Sequence, residues 1–356
     1  MVNNWFSDQI IDWYHKNKRD LPWRRTKDPY IIWLSEIILQ QTRVTQGLPY
    51  FLKFVERFPS LNSLADAEEQ EVLRLWQGLG YYSRARNMLA TAKLVKQQKG
   101  GKFPGTYSEL ITLKGIGEYT AAAISSFSTD EKVPVVDGNV YRVLSRMFDI
   151  ELDIMSPKNK KTFRELACSL LPDKDTSHFN QGIMEFGALH CTPKNPACTE
   201  CPLQNKCLAF LRKTVLERPV KSKKIKAKER QLNYLVYTWG NKLLMRERTG
   251  KDIWKGLFEF YLINNQSPES GESGKIPQLN DPVLKFNVSS NKNIKFYKHI
   301  LSHQIILSKF FIVNLDNVAE LTLKEEEKDY KFYDLEEIKR LPKSILIEKF
   351  LIENFF

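Results

Sequence analysis

No apolar run in the chain approaches the ~18 residues that a membrane-spanning helix requires, so an ordinary α-helical membrane protein is excluded. Met1–Ile10 has neither the basic start nor the apolar stretch of a secretory signal, and the expected location is cytosolic. Internal repeats are lacking, which argues against a solenoid. Acid is in deficit: 42 Asp and Glu face 54 Lys and Arg, a formal charge of +12 that suits a polyanionic partner, nucleic acid before a membrane surface. Cysteine is scarce, with five residues in 356, too few for a disulfide scaffold. What is present is ordinary folding material, 42% hydrophobic and 12% aromatic, in a length that suits about two domains.

Four of the five cysteines, Cys191, Cys198, Cys201 and Cys207, are gathered as C-x6-C-x2-C-x5-C. Four thiolates from one short loop can surround a zinc ion or a cubane iron–sulfur cluster. Zinc loops usually pair close cysteines at both ends, whereas here the first and last spacings are wide, which favours the bulkier centre. Cys168, in the amphipathic stretch FRELACSLL, reads as a core residue. The basic run Arg212–Arg230 holds nine Lys and Arg against two Glu and reads as a solvated linker able to touch phosphate.

Before that linker the apolar spacing is helical. Asp28 and Pro29 cap a helix carrying Ile31, Ile32, Leu34, Ile37 and Ile38, and further helices are expected at 43–57, 67–77 (opened by Asp66), 84–98 (capped by Ser83), 107–112, 117–128, 138–148, 158–171 and 180–190. After it the period changes. Gln231–Trp239 and Lys242–Arg246 flank Gly240–Asn241 as a hairpin, 294–301 and 304–314 read as strands, 334–340 and 343–354 as helices, and 264–281 as a polar loop. The fold class is therefore multidomain: an all-α domain over 1–211 with a metal loop at 191–207, a linker over 212–230, and an α+β domain over 231–356.

Three stretches can carry chemistry. In Leu113–Ala121, Gly115 and Gly117 permit a tight turn between two short helices, with amides and a helix start facing an anion such as DNA phosphate. In Val133–Val143, Asp137 is either a plain N-cap or a carboxylate kept ionised at a helix start, with Asn139 near enough to share its site. In Trp33–Arg43, Glu36 is either on an exposed face or wedged among large apolar groups, where its pKa rises and it suits general acid work. A protonated and an ionised carboxylate together are what cleavage of a glycosidic bond requires.

Glu36, the hairpin, Asp137 and the cysteine loop, in this order along the chain and with the blocks LSEIILQQT and VDGNVYRV, resemble the helix-hairpin-helix DNA glycosylases with a four-iron cluster, the endonuclease III superfamily. Within them the likeness is greatest to the MutY family of adenine glycosylases, strongly over about 5–210 and loosely beyond. The resemblance implies a monofunctional glycosylase that removes adenine mispaired with 8-oxoguanine or guanine in double-stranded DNA. It implies a monomer of the bacterial cytosol or nucleoid with a [4Fe-4S] cluster on Cys191, Cys198, Cys201 and Cys207.

Residue by residue, Glu36 matches the acid that protonates adenine at N7 and Asp137 the carboxylate facing the deoxyribose C1′, assisted by Asn139 and Tyr119. Tyr119 stands where endonuclease III enzymes carry a nucleophilic Lys, and without an amine no Schiff base forms. Gln41, and Tyr81 in GLGYYSRAR, match positions that insert beside the orphaned base; taken singly they are a helix-end polar residue and a surface tyrosine.

The C-terminal part resembles the family's Nudix-like lesion-reading domain, through Trp254–Phe260, with no R-E-x-x-E-E block for magnesium-dependent hydrolysis. Leu301, Ser302 and His303 occupy the place of the family's Phe-Ser-His tip, with Leu301 a weaker wedge, and Lys114 stands where the hairpin often has Pro. Two readings remain beside this one: a bifunctional endonuclease III-like glycosylase/lyase for oxidised pyrimidines, and a non-catalytic iron–sulfur or zinc DNA-binding protein.

Overall fold

The helical periodicity before residue 211 becomes, in the computed structural model, a run of helices: α1 (Val2–Asn17), α2 (Pro29–Leu39), α3 (Val44–Arg57), α4 (Leu61–Ala65), α5 (Glu69–Trp76) and α6 (Ser83–Lys99). These are followed by α7 (Tyr107–Leu110), α8 (Glu118–Thr129), α9 (Gly138–Met147), α10 (Pro157–Ser169), α11 (Thr176–Leu189) and α12 (Leu208–Leu211). The structure describes residues 2–222, 227–263, 294–317 and 328–356, so the polar loop expected at 264–281 lies outside the described residues.

Local chemistry sets several helix starts. Pro29 opens α2 while the Asp28 carboxylate accepts the amide of Tyr30 at 2.9 Å. Asp66 does not open a helix as expected. It terminates α4, a short helix started by a Ser60–Ser63 capping box, and Glu68 precedes α5. Cys168 is exposed and not in the core, because the buried face of α10 is built on Phe163 and Ala167.

Packing divides the chain into two units, Met1–Asp66 with Asn87–Lys223, and Ala67–Arg86 with Lys224–Phe356. One division, between Lys223 and Lys224, falls within the 212–230 linker suggested by the sequence; the other two, at 66/67 and 86/87, were not expected. Residues 67–86, inside the helical half of the sequence, belong with the C-terminal part.

In the first unit the core joins Phe6 and Ile10 of α1, Val143 and Leu144 of α9, Phe163 of α10 and Phe179, Ile183 and Phe186 of α11. Each such side chain contributes on the order of 1.5–3 kcal/mol by leaving water. Residues 212–222, read as a solvated tether, are packed here. Arg218 is buried against Asp149 at 2.8 Å, Thr214 donates to Asp149 at 2.7 Å, and the Ile154 amide donates to Val220 O. Arg212 and Arg218 of this segment are held by acidic partners distant in sequence.

The second unit is a mixed sheet of β1 (Lys228–Trp239), β2 (Lys242–Glu247), β3 (Phe258–Glu259), β4 (Tyr261–Ile263), β5 (Ile294–Ile300), β6 (Gln304–Asn314) and β7 (Lys331–Asp334), with α13 (Leu335–Arg340) and α14 (Ile345–Asn354). Its order is β3-β2-β1-β6-β5, β4 pairing β1 and β7 pairing β2. The hairpin at Gly240–Asn241 forms as read, Trp239 facing Lys242, while β1 runs parallel to β6 from Lys228–Gln304 to Thr238–Asn314. Phe350 of α14 stacks on Phe310 with ring centres 4.3 Å apart and meets Phe260 edge-on at 5.5 Å. The segment 67–86 is fastened to this unit by polar bonds. Gln77 Oε1 accepts the Lys343 amide at 3.0 Å, and the Tyr82 hydroxyl donates to Lys343 O at 3.3 Å.

Candidate active site

Eight residues of α2 are buried, and Glu36 is one of them at 7% exposure, between Ser35 and Ile37. A carboxyl in such surroundings loses its hydration. Burial pushes Glu36 up to about 7; the Tyr119 hydroxyl opposes the rise, the charge of Asp137 adds to it, and that of Arg24 again opposes it. The wedged alternative is thus the one the fold adopts.

Tyr119 enters from α8, whose N-cap is Gly117, and donates its hydroxyl to Glu36 Oε2 at 2.9 Å. Burial, then the charges of Glu36 and Asp137, hold its own pKa well above the phenolic value, so it stays a neutral donor.

Asp137 is the N-cap of α9. Its Oδ1 accepts the amides of Asn139 and Val140, both at 2.8 Å, and its Oδ2 accepts the Asn139 side-chain amide at 2.7 Å. The cap read from the sequence forms, and it stands close enough to Glu36 for the two carboxyls to interact. One expectation is corrected: burial outweighs the amides, and the Asp137 pKa is raised although its hydrogen bonds and Arg142 pull it down.

Asn139 is itself oriented, because Arg142 Nη2 donates to its Oδ1 at 2.8 Å. The same guanidinium reaches Gly187 O at 2.6 Å and, through Nε, Cys191 O at 2.8 Å. A continuous polar line thus runs from the Asp137 carboxylate to the backbone of the cysteine loop. Gly187 belongs to this arrangement, since a Cβ there would lie 2.7 Å from Asn139 Cβ.

Sequence reasoning missed Arg142, Gly187 and a second group around Glu185. Glu185, 1% exposed, accepts from Arg19 at 2.6 Å and from Arg24 at 2.8 Å. Its burial raises the pKa, but the two guanidiniums together bring it down to about 2. The only sequence signal was the basic pair Arg24–Arg25 after Trp23, which says nothing about a partner 161 positions away.

The hairpin between α7 and α8 forms as expected. Gly115 has φ +77°, and a Cβ there would sit 2.9 Å from Asn87 Cβ; Gly117 faces open space. Gln41, just past α2, and Tyr81 both adopt positive φ, +57° and +47°, a conformation uncommon for residues with side chains and enriched at functional positions. Tyr81 belongs to the second unit, where its hydroxyl is hydrogen-bonded to Ser302 Oγ. Leu301, Ser302 and His303 form the tip between β5 and β6, closed by Leu301 N to Gln304 O at 2.8 Å, with Ser302 Oγ 3.3 Å from His303 Nδ1 and both side chains exposed.

Cys191, Cys198, Cys201 and Cys207 line one pocket with Val143, Met147, Phe186 and Leu203, and none of them is in a disulfide. Arg146 closes one side, donating to Cys191 Sγ at 3.3 Å and accepting from Cys207 Sγ at 3.4 Å. Burial pushes Cys201 up to about 12, so a thiolate there calls for a positively charged partner. Among the described residues no three His, Cys, Asp or Glu side chains are placed to hold a single ion.

The family profile described as HhH-GPD superfamily base excision DNA repair protein matches residues 34–170, and a NUDIX domain profile matches 233–353. An adenine DNA glycosylase of Buchnera aphidicola subsp. Schizaphis graminum (strain Sg) is 43% identical over 256 residues, 72% of this chain and 74% of the relative. That of Buchnera aphidicola subsp. Acyrthosiphon pisum (strain APS) is 35% identical over 351 residues, 98% of this chain and 97% of the relative. The chain belongs to the adenine DNA glycosylase family. In this family member Glu36, Tyr81, Tyr119, Asp137 and Asn139 all fall within the base-excision match, the tip 301–303 falls within the NUDIX match, and the four cysteines lie between the two. The fold agrees: the structure of a thermostable thymine-DNA glycosylase superposes with a TM-score of 0.55 at 29% identity, over 59% of this chain and 97% of the other.

Proposed function

We propose that the chain is a monofunctional glycosylase of base excision repair that hydrolyses the N-glycosidic bond of adenine lying opposite 8-oxoguanine or guanine in duplex DNA. The observation that carries this reading is the placement of Glu36, titrating at about 7, beside the neutral donor Tyr119 and in the field of Asp137. An acid whose pKa lies near the working pH delivers a proton and recovers it efficiently.

The extruded adenine accepts the Glu36 proton at N7, and the bond from its N9 to C1′ breaks with the electron pair leaving on the base. The resulting oxocarbenium-like sugar faces the Asp137 carboxylate, which Asn139 and the α9 amides hold in place. Water adds to C1′, and its proton returns to Glu36. No amine stands at position 119, so the reaction stops at base removal without a Schiff base.

Flipping the base costs a few kcal/mol, which insertion of Gln41 and Tyr81 into the vacated stack offsets. The Gly115–Gly117 hairpin cradles a phosphate, and Ser302 and His303 hydrogen-bond the base opposite the adenine, with Leu301 as a modest wedge. The positive charge of the chain suits the duplex backbone.

A [4Fe-4S] cluster suits the four cysteines. They line a space with apolar walls; burial raises the thiols of Cys198, Cys201 and Cys207, and Arg146 faces them with positive charge. Cys191, Cys198, Cys201 and Cys207 would hold it, and it would fix the fold of the 191–207 loop without entering the chemistry at C1′. The protein acts as a monomer in the bacterial cytoplasm, a location supported by its bacterial adenine DNA glycosylase relatives.

Base release from a labelled duplex panel tests the reading. Adenine should leave from A opposite 8-oxoguanine and opposite G, with no release of an oxidised pyrimidine. Strong borohydride trapping on duplex DNA would instead establish the bifunctional alternative.

A further inference from the structure

Trp254 is buried and has φ +61°, a conformation that a bulky side chain enters only when its surroundings impose it. The surroundings here are specific. The Asp252 carboxylate accepts from the Arg230 guanidinium at 2.8 and 2.5 Å and from Arg248 at 2.8 Å, and Arg248 Nε also holds Ile253 O at 3.1 Å. Backbone bonds from Gly256 N to Arg248 O and from Leu257 N to Trp254 O close the loop. On its other side Gly256, at φ +80°, is pressed against α5, since a Cβ there would lie 2.8 Å from Leu73 Cδ1, and Arg86 donates to Lys255 O at 2.6 Å.

This rigid loop delivers the Trp254 indole edge-on to the imidazole of His299, with ring centres 5.8 Å apart. His299 lies on β5, two residues before Leu301, at the root of the Leu301–His303 tip. The tip is also held from β1, where the Lys228 amide donates to His303 O at 3.1 Å. Arg230, two residues along the same strand, anchors the Trp254 loop through Asp252. Both braces of the tip therefore trace back to β1, one through the Lys228 amide and the other through the Arg230–Asp252 ion pair.

We propose that Trp254 is a positioning residue for recognition of the base opposite the adenine: through His299 it sets the angle at which Ser302 and His303 meet that base. The inference rests on the reading of the tip given above. Nothing in it places Trp254 against the adenine or the sugar, so its loss acts on discrimination and not on the bond-breaking step.

Single-turnover adenine release from duplexes with A opposite 8-oxoguanine and A opposite G tests it in the full chain. Trp254→Ala should slow the 8-oxoguanine duplex about tenfold and leave the G duplex within about twofold, as expected for loss of one coupled contact. Trp254→Phe, which keeps an aromatic edge, should restore the ratio. His299→Leu, which leaves the 250–257 loop intact, should reproduce the loss. Trp254→Ala placed on Ser302→Ala/His303→Ala should add nothing, because the groups it orients are gone. Equal slowing of both duplexes by Trp254→Ala and His299→Leu marks a merely structural role and overturns the inference. So does an unchanged ratio in those variants when Ser302→Ala/His303→Ala collapses it. An unchanged ratio in Ser302→Ala/His303→Ala itself removes the tip as reader, and the Trp254 inference with it.

Discussion

Tyr119 donates its hydroxyl to Glu36 Oε2 at 2.9 Å, and this bond opposes the burial that lifts Glu36 to about 7. The hairpin helix thereby tunes the acidity of a side chain on α2, and a phenol at position 119 has a use besides not being an amine.

The pH dependence of adenine release follows from that pair. Glu36 donates only when protonated, so single-turnover rates should be full below about 7 and fall as pH rises through that value. Tyr119→Phe removes the bond that lowers the Glu36 pKa, and the falling limb should move to higher pH. A limb that stays in place, measured with A opposite G, would show that Tyr119 does not set this titration.

The stability contribution of Glu36 runs in the same direction with pH. A carboxyl whose folded pKa is raised contributes stability that is present below its unfolded value and lost as pH rises through the folded one, here between about 4.5 and about 7. Glu36→Gln should therefore stabilise the protein at pH 8 by on the order of 3 kcal/mol and change little at pH 5. Thermal or urea unfolding of the two proteins at both pH values measures the difference.

Gly187 should be intolerant of a methyl group. A Cβ at 2.7 Å from Asn139 Cβ displaces the side chain that holds Asp137 Oδ2. Misplacement of a reacting group by about 1 Å can cost ~100-fold in rate, so Gly187→Ala should lower kcat by about that factor while duplex binding persists. Equal loss of binding and turnover would point instead to a general collapse of the α9–α11 packing.

The cysteine loop makes a spectroscopic prediction. Purified protein should be brown, absorb near ~410 nm, and contain iron and sulfide in equal amounts. Cys191→Ser should bleach it and destabilise the first unit, because it removes a ligand and the sulfur that Arg146 contacts while leaving the backbone bond from Arg142 in place. A colourless protein with stoichiometric zinc would contradict the iron–sulfur assignment.

Much of the site was legible because its parts are local. The Asp137 cap, the Gly115–Gly117 turn and the apolar flanks of Glu36 are written within a few residues of each group. Arg24 with Glu185, and Arg142 with Gly187 and Cys191, were not legible, because each depends on which helices meet. The same limit explains why residues 67–86 were counted with the helical domain. Residues 67–86 have the periodicity of any amphipathic helix pair, and only contacts such as Gln77 with Lys343 and Gly256 with Leu73 reveal which unit their buried face joins. Strands of two to four residues, β3, β4 and β7, are too short for an alternating pattern to register.

The most direct measurement is single-turnover adenine release by Glu36→Gln from a duplex with A opposite 8-oxoguanine, alongside the affinity of the same variant for that duplex. The substitution removes a proton donor and almost no volume, so release should be abolished with binding largely intact. Release near the wild-type rate would contradict Glu36 as the acid and, with it, the mechanism built on its buried carboxyl.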